Sequence, residues 1–496
     1  MCEVPVPVSL LKKSYDEELQ KTAAAIRHQL AKGGERPYRE VLDVSCADGQ
    51  SKGMAPNTFM RQVLAACLYP ELLQDDSLPV DVRQRAESML GACDGGSVGA
   101  YSDTCGNDRV LASVSEFISR RDGGLAADPK HTHLYITSGH QRGLMVILKL
   151  LACGRGQTQQ QPAVLIPEPH PHTLPRLLDV IGLAALPYRL QEDRGWGLEK
   201  TELQRVIQAA GGRYNPRAIY IPNPGDPTGH VQDRRTIRQV IEFAAEENLL
   251  LLVDEVYQDC VFGEGCEFLS YKRALFEMGP ASSGAVKMAS FNSLSNGTLG
   301  ECGLRAGYME LVNFEDAVLP FVEILLMGDI SPPVIGQVGL DVMARPPCPG
   351  EPSYSRYIQV EVMCCKNILR ENAAKGRSLL NSLPGVNCPP VRGGVYLYTH
   401  LTLPQVVGIH AGLVYCQRFL EEEGVCLGLT ECGDSSAIGT CCYLRICILM
   451  PTHKLCDLLR RLASFHLRFL LRRLASFHPL NLLPSEAPGV ISPAHP

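Results

Sequence analysis

The middle of the chain alternates short apolar runs with longer segments whose apolar residues recur at helical spacing. This alternation is typical of crossover units that build a parallel sheet. Ile237, Val240 and Ile241 lie in one such segment, so one face of a helix should pack on that sheet. The predicted strands are Ala163–Pro167, Ala218–Pro222, Leu249–Val253, Val286–Phe291 and Ala306–Val312. The pattern therefore predicts an α/β core.

Changes in this pattern divide the chain into four parts. A helical stretch over Pro56–Leu90 is followed by a flexible, glycine-rich crossing at Gly91–Gly99, which leads into the core. After the core, a long helix over Tyr354–Leu383 and strands near Gly394 and Arg445 predict a smaller α+β domain. The four predicted parts are an N-terminal arm with helices that joins the small domain (1–90), a large α/β domain (91–345), a small C-terminal α+β domain (346–478) and a tail (479–496).

The end of the chain contains a duplication. Leu458–His466 reads LLRRLASFH, and Leu470–His478 repeats it without a change. Two copies of one helix end are too few for a solenoid, which needs about three units. The remainder, 479–496, has five prolines and one charged residue, so we expect it to be disordered.

Composition narrows the class of protein. Apolar residues make up 45% of the chain, charged residues make up 20% and the net charge is −6, all within the ordinary range of soluble globular proteins. Lys and Arg are spread along the chain, which argues against nucleic acid as a partner. No stretch reaches the roughly 20 apolar residues that a membrane helix needs. The 20 cysteines, with no secretory leader, are expected to be reduced thiols in a cytoplasmic protein.

Three motifs lie where ligands bind in open α/β sheets, beyond the carboxyl ends of predicted strands. The first, Asn223–Gly229, is a proline- and glycine-rich loop that presents Asp226, although the same residues also suit a plain turn. The second begins with Asp254 at the end of the most apolar strand, where this acid either caps a helix or faces a ligand. The third, over 293–308, places Arg305 behind a glycine-rich turn, which suits an anion such as phosphate.

Together these motifs resemble the fold type I, class I/II aminotransferases that depend on pyridoxal phosphate, and within them the alanine aminotransferase family. Gly300–Gly303 and Asp254–Asp259 extend the match beyond the general pattern of the superfamily. The resemblance implies a large, mostly parallel sheet domain with helices on both faces, plus a smaller α+β domain. It also implies a homodimer with sites shared between subunits, acting on a small amino acid and a 2-oxo acid. Further matching stretches are Leu68–Leu73, Gly99–Ser102 and Arg120–Gly124.

The resemblance implies a role for each matching residue. Asp254 would bind the pyridinium nitrogen of pyridoxal phosphate and keep the ring an effective electron sink, and Tyr257 would donate to its phenolate oxygen. Arg445 would clamp the substrate carboxylate with its planar fork, and the alternative for Arg445 is a salt bridge at a strand edge. The phosphate would be held by Ser293, Arg305, Tyr101 from the neighbouring subunit and the helix start after Gly139, at His140 and Gln141.

At the central position of the family pattern this chain differs. The family has a lysine there, which forms a Schiff base with the cofactor and then moves a proton. This chain has Asn296, and an amide is neither nucleophilic nor basic. Other lysines are poor replacements, because Lys287 begins the same strand, Lys272 falls in a helix and Lys52 lies in an N-terminal loop. We therefore do not expect covalent attachment of the cofactor.

Further positions around the same site depart from the family pattern. Asp226 replaces an asparagine, so an anion would face the phenolate oxygen. His140 and Gln141 replace small residues and should crowd the backbone amides that bind phosphate. Pro171 stands where the family has the aromatic residue that stacks on the ring.

These features leave two classes of function open. The family reaction converts L-alanine and 2-oxoglutarate to pyruvate and L-glutamate. Asn296 favours the alternative, a catalytically inactive homologue that acts by binding or by dimerising with an active aminotransferase. A third hypothesis is a decaying gene copy that folds poorly.

Overall fold

The computed structural model describes six stretches of the chain: 14–125, 132–153, 160–279, 284–403, 410–431 and 441–477. The predicted disordered tail, 479–496, lies outside them. Within them, no helix combines the length and the apolar character that crossing a membrane requires.

A seven-stranded sheet forms the centre of the larger domain. Its strands lie in the order β2-β8-β7-β6-β5-β3-β4. Five neighbouring strands run parallel to one another: β7, β6, β5, β3 and β4. β8 is antiparallel to β7, and β2 is antiparallel to β8. The sheet is therefore mostly parallel, as predicted. Its strands are β2 (Thr132–Thr137), β3 (Gln161–Glu168), β4 (Ala184–Arg189), β5 (Tyr214–Pro222), β6 (Leu250–Asp254), β7 (Met288–Ser293) and β8 (Gly307–Val312).

Helices cover this sheet on both faces. Because successive side chains of a strand point to opposite faces, Leu251 and Val253 enter one apolar core while Leu252 enters the other. The described α-helices are α1 (Tyr15–Ala31), α2 (Thr58–Leu68), α3 (Val80–Gly91), α4 (Asp108–Arg121), α5 (His140–Ala152), α6 (Leu174–Ile181), α7 (Lys200–Ala209), α8 (Arg234–Glu246), α9 (Tyr271–Glu277), α10 (Leu319–Met327), α11 (Val334–Ala344), α12 (Met363–Leu380), α13 (Ala411–Glu423) and α14 (Thr452–Phe477).

A second sheet belongs to the smaller domain. Its four antiparallel strands lie in the order β12-β13-β10-β9. The first described strand, β1, pairs with β11, and α1 buries Leu19 and Ile26 in the same core as β10 and β13. We therefore propose that the N-terminal arm belongs to this domain. The remaining strands are β1 (Leu42–Asp43), β9 (Val386–Asn387), β10 (Tyr396–Thr402), β11 (Val425–Cys426), β12 (Gly428–Glu431) and β13 (Cys441–Cys447).

The predicted long helix after the core differs in its first turns. Over Ser355–Val362 the chain forms a π-helix, which continues into α12. A π-helix has more than the 3.6 residues per turn that the apolar spacing assumed. As a result, Tyr357 is buried while Val360 remains exposed. The predicted long helix is therefore present with π-helical first turns, and the crossing at Gly91–Gly99 contains a short 3₁₀ turn.

Candidate functional site

A cavity of about 320 Å³ lies at the carboxyl ends of β5, β6 and β7. The N-terminal segment 46–48 and the start of α6 close it from the other side. Parallel strands bring residues that are far apart in sequence to this single edge. The sequence-predicted residues that line it are His140, Gln141, Asp226, Asp254, Tyr257, Asn296 and Arg305.

Asp254 is the last residue of β6, and its carboxylate faces the cavity. Its Oδ2 accepts a hydrogen bond from the Tyr220 hydroxyl at 2.5 Å, and its Oδ1 accepts one from the Val256 amide at 3.2 Å. No helix follows this strand directly in the described chain, since the next α-helix begins at Tyr271, so the helix-cap alternative is wrong. The other alternative, a carboxylate that faces a ligand, stays a prediction.

His140 shares the end of the cavity that Asp254 occupies. Its Nε2 lies 4.0 Å from Asp254 Oδ2. Burial lowers the pKa of His140 despite the nearby carboxylate, so the ring is neutral at pH 7. Gln141 instead donates to Thr173 Oγ1 at 3.1 Å. The bulk of His140 therefore lies at Asp254, whereas the sequence predicted that both side chains would crowd the phosphate amides.

Asp226 lies in the loop after β5 and lines the same wall. Burial raises the pKa of Asp226 to about 7, Arg445 opposes this shift and Asp254 adds to it. A buried carboxyl next to a second carboxylate holds its proton more strongly. The sequence predicted that Asp226 would be an anion. This prediction is corrected here, because Asp226 is partly protonated near neutral pH.

Another part of the cavity wall forms an anion cradle around Arg305. This exposed guanidinium donates to Ser295 Oγ at 3.1 Å and to the Cys302 carbonyl at 2.9 Å. Gly139, with φ of 95°, directly precedes α5, and a methyl group on it would lie 2.9 Å from Arg305 Nη2. Glycine thus lets the guanidinium approach a helix N-terminus, an arrangement that attracts phosphate. Ser293 adjoins this cradle, because its Oγ accepts a hydrogen bond from the Ser295 amide at 3.1 Å.

Asn296 lies three residues beyond β7, on the cavity wall. Its side chain forms a hydrogen bond with the Tyr257 side chain. Burial raises the pKa of Tyr257, so its hydroxyl keeps its proton and can donate. Among the described residues that line this cavity there is no lysine.

The three lysines considered as replacements are held elsewhere. Lys52 is buried in a 3₁₀ turn, rather than in the loop that was predicted, and its Nζ donates to the Asp48 carbonyl at 2.8 Å. Lys272 forms a buried ion pair with Glu310, and Lys287 forms an exposed one with Glu315. None of the three belongs to the described cavity wall.

Arg445 lies behind the cavity wall rather than on it. Its guanidinium pairs with Asp16 of α1 at 2.8 Å and donates from Nε to the Ser45 carbonyl at 2.9 Å. It also lies 5.7 Å from the ring of Tyr396, a residue that lines the cavity. The salt bridge foreseen as the alternative is present, but β13 is a central strand and not an edge.

Other candidate positions lie at the rim or outside. Pro171 lines the cavity, as does His172 beside it. Tyr101 has 69% of its surface exposed and is not part of the cavity wall. A role for Tyr101 at a phosphate therefore requires a second subunit.

Sequence reasoning missed several residues of the site. Tyr220, which donates to Asp254, was detectable as an aromatic residue with a polar group inside the apolar run of β5. Ser295 and Tyr396 carried no separate signal. Asp16 lies 429 positions from Arg445, and nothing local in the sequence marks that pair.

The seven-stranded sheet is mostly parallel, and one cavity at its strand ends holds both the Asp254 carboxylate and the anion cradle around Arg305. These features are those of a fold type I transferase. The model of the family "Aminotransferase class I and II" matches residues 64–462. The chain belongs to this family, whose members depend on pyridoxal phosphate.

Relatives point to one branch of the family. "Alanine aminotransferase 2-like" of Danio rerio is 41% identical over 454 residues, covering 90% of this chain and 81% of that protein. "Alanine aminotransferase 1" of Homo sapiens is 40% identical over 457 residues, covering 90% of each chain. The alanine aminotransferase from Pyrococcus furiosus shares the fold, with a TM-score of 0.69 at 17% identity over 94% of this chain and 100% of that one. The protein is thus similar to alanine aminotransferases.

Proposed function

We propose that this chain binds a pyridoxal-type phosphate and a small carboxylic acid without covalent attachment, and does not catalyse amino-group exchange at an enzymatic rate. One observation carries the proposal: Asn296 lies on the described cavity wall with its side chain hydrogen-bonded to Tyr257, and no lysine lines that wall. We take Asn296 to stand where the family pattern has its lysine. An amide can neither bond to an aldehyde carbon nor accept a proton at pH 7.

The remaining residues fit the cofactor at both of its ends. Arg305 and Ser295, beside the N-terminus of α5, form the cradle for the phosphate, and Ser293 supports it from behind. Asp254 is placed to hold the ring nitrogen in its protonated form, and Tyr257 to donate to the ring oxygen. When bound, the cofactor supplies an electron sink.

A residue suited to moving the proton is missing from the described cavity wall. In the described cavity wall, His140 is neutral but faces Asp254, and Asp226 is itself a carboxyl that titrates near pH 7. Neither matches a flexible amine that both bonds to the cofactor and shuttles a proton. The family reaction, from L-alanine and 2-oxoglutarate to pyruvate and L-glutamate, is therefore expected at background rate.

A subunit interface is part of the proposal. Apolar side chains on α10 and the turn after it are exposed, among them Phe321, Ile324 and Ile330. Thr104, three residues after the exposed Tyr101, donates to the Ile330 carbonyl at 2.9 Å, so the two segments adjoin. This surface suits a homodimer, or a dimer with an active relative. A cytoplasmic location stays a prediction.

A turnover assay tests the proposal. Purified protein saturated with pyridoxal phosphate is given alanine and 2-oxoglutarate, and pyruvate is measured against an active alanine aminotransferase at equal concentration. We expect a rate at least about a thousandfold lower, because covalent and acid–base catalysis contribute several powers of ten. A rate within tenfold of the active enzyme would refute the proposal.

A further inference from the structure

A second cavity lies behind Asn296, outside the candidate cofactor site. It has a volume of about 180 Å³. Asn296 is the only residue that the described walls of the two cavities share. Cavities of about 150 Å³ in other proteins hold a molecule of the size of benzene, so this space accepts a small organic molecule.

The wall of this second cavity combines an apolar part with one cation and one anion. Phe117, Met343 and Ile358 belong to the apolar part. Lys366 is the only cationic residue on the described wall, and Asp259 is the only acidic one. An apolar lining with a few polar groups that fix orientation is the usual composition of a small-molecule site.

The two charges lie close to the same neighbours but do not pair with each other. Burial raises the pKa of the thiols of Cys260 and Cys365, Asp259 adds to this rise, and Lys366 opposes it. Lys366 is half-buried and forms no hydrogen bond or ion pair with a described residue. Within the described chain, its ammonium group therefore lacks a counter-ion.

Asp259 is fixed in place and keeps capacity to accept a further hydrogen bond. Its Oδ2 accepts from the Thr298 amide at 3.0 Å and from the Thr298 hydroxyl at 2.6 Å, and the Cys260 thiol also donates to this carboxylate. Gly297, with φ of 76°, leaves room for it, because a methyl group there would overlap Asp259 Oδ1. A carboxylate has about four acceptor positions, so one remains for an ammonium group.

We infer that this cavity binds a small apolar amino acid as its zwitterion, with the ligand carboxylate at Lys366 and the ligand ammonium group at Asp259. The aliphatic side chain of the ligand lies against the apolar part of the wall. A zwitterion gives both charged residues a partner, whereas a simple acid or a simple amine leaves one of them desolvated and unpaired. Charge-assisted hydrogen bonds of this kind are roughly twice as strong as neutral ones. The inference goes beyond the proposed function and does not depend on it, because the cofactor belongs to the other cavity.

Calorimetric titration of the full chain with three ligands of one shape tests the inference, without added pyridoxal phosphate. The first ligand is L-valine. The second, 3-methylbutanoate, lacks its ammonium group, and the third, 2-methylpropylamine, lacks its carboxylate. We expect L-valine to bind at least about tenfold more tightly than either analogue, corresponding to about 1.4 kcal/mol. No binding of L-valine, or binding no tighter than that of one analogue, would overturn the inference.

Two variants locate the binding in this cavity. Lys366→Met should weaken L-valine about tenfold and leave 2-methylpropylamine unchanged, and Asp259→Asn should weaken L-valine and leave 3-methylbutanoate unchanged. Lys375→Met is the matched control, because Lys375 lies on the same helix, α12, but is exposed and paired with Glu371. L-Valine binding that neither folded variant weakens would place the ligand elsewhere and refute the inference. If a variant does not fold, the comparison of the three ligands on the unmodified chain decides.

Discussion

At the scale of single residues, we propose that Asn296 decides the chemistry, because the family pattern has an amine at this position. The contacts around it are present, since Asp254 accepts a hydrogen bond from Tyr220 and Arg305 lies at the start of α5. We therefore expect binding and catalysis to be separable in this protein. The residues around Asn296 that differ from the family pattern determine how much cofactor attachment the single substitution Asn296→Lys can restore.

Asn296→Lys should restore covalent attachment of pyridoxal phosphate only weakly. His140 faces Asp254 at the ring end and Asp226 adds a second, partly protonated carboxyl group to the same wall, so the new lysine would meet a poorly seated ring. Adding Asp226→Asn and His140→Ala should strengthen attachment about tenfold or more, since residues around one ligand couple. The measurement is the cofactor fixed by borohydride as a function of its concentration.

The matched control for that series carries Asp226→Asn and His140→Ala with Asn296 kept. It should bind the cofactor and release it fully on denaturation after reduction. If Asn296→Lys by itself attached the cofactor as tightly as the triple variant, the roles given to Asp226 and His140 would be wrong.

Asp16 competes for the guanidinium that would bind a substrate carboxylate. Its Oδ2 pairs with Arg445 and its Oδ1 accepts from the Leu429 amide at 2.9 Å, so α1 is held over this arginine. Asp16→Asn should therefore raise the affinity for 2-oxoglutarate about tenfold, because a charge-assisted bond contributes on the order of 1.5 to 3 kcal/mol. Glu17→Gln, one residue away on the same helix, should leave the affinity unchanged. Calorimetry measures both.

Arg445→Lys completes that experiment. It keeps the charge but loses the planar fork, so it should weaken 2-oxoglutarate binding about tenfold. Arg445 would be structural, and not ligand-binding, if neither Asp16→Asn nor Arg445→Lys changed the affinity while both lowered the melting temperature.

At the scale of elements, the repeated segment shows why identical sequence need not make identical contacts. The first copy and the second copy up to Phe477 lie on α14, twelve residues apart, and a helix with 3.6 residues per turn rotates by about 120° over that distance. Leu471 of the second copy thus lies on a different side of the helix from Leu459, which enters the core of the small domain. Leu459 of the first copy is 2% exposed, whereas its counterpart Leu471 is 66% exposed.

This difference predicts unequal costs for one substitution. Leu459→Ala should lower the free energy of unfolding by about 2 to 4 kcal/mol, because it removes packed atoms from the core of the small domain. Leu471→Ala should change it by less than about 0.5 kcal/mol. Denaturant titration of both variants checks the pair. Equal effects would mean that the second copy packs as the first does.

Sequence patterns found the elements that are buried on both faces and missed those that are not. The central strands β5 and β6 contain continuous apolar runs, because helices cover both sides of the sheet. The edge strand β4 alternates less buried with buried residues, the edge strand β2 has two partly exposed residues, and both strands escaped prediction. The motifs at strand ends located Asp226, Asp254 and Arg305, but the Asp16 contact arises only from tertiary packing.

At the scale of the whole molecule, the exposed apolar surface on α10 predicts self-association. Sedimentation equilibrium should give roughly twice the 54.2 kDa of one chain. Phe321→Asp should shift the protein toward monomer, because a charge would be buried in the interface. Val180→Asp, at an equally exposed apolar position on α6, should not. A monomer at all concentrations, or equal effects of the two variants, would contradict this interface.

The proposed function depends on whether the cofactor is held without a covalent bond. The most direct test is the intact mass of the full chain after saturation with pyridoxal phosphate, borohydride reduction and denaturation, with peptide mapping of any adduct. We predict a spectrally detected bound cofactor that is lost on denaturation, and only scattered labelling of exposed lysines in small amounts. One equivalent fixed at a single lysine, accompanied by pyruvate formation from alanine, would contradict the account.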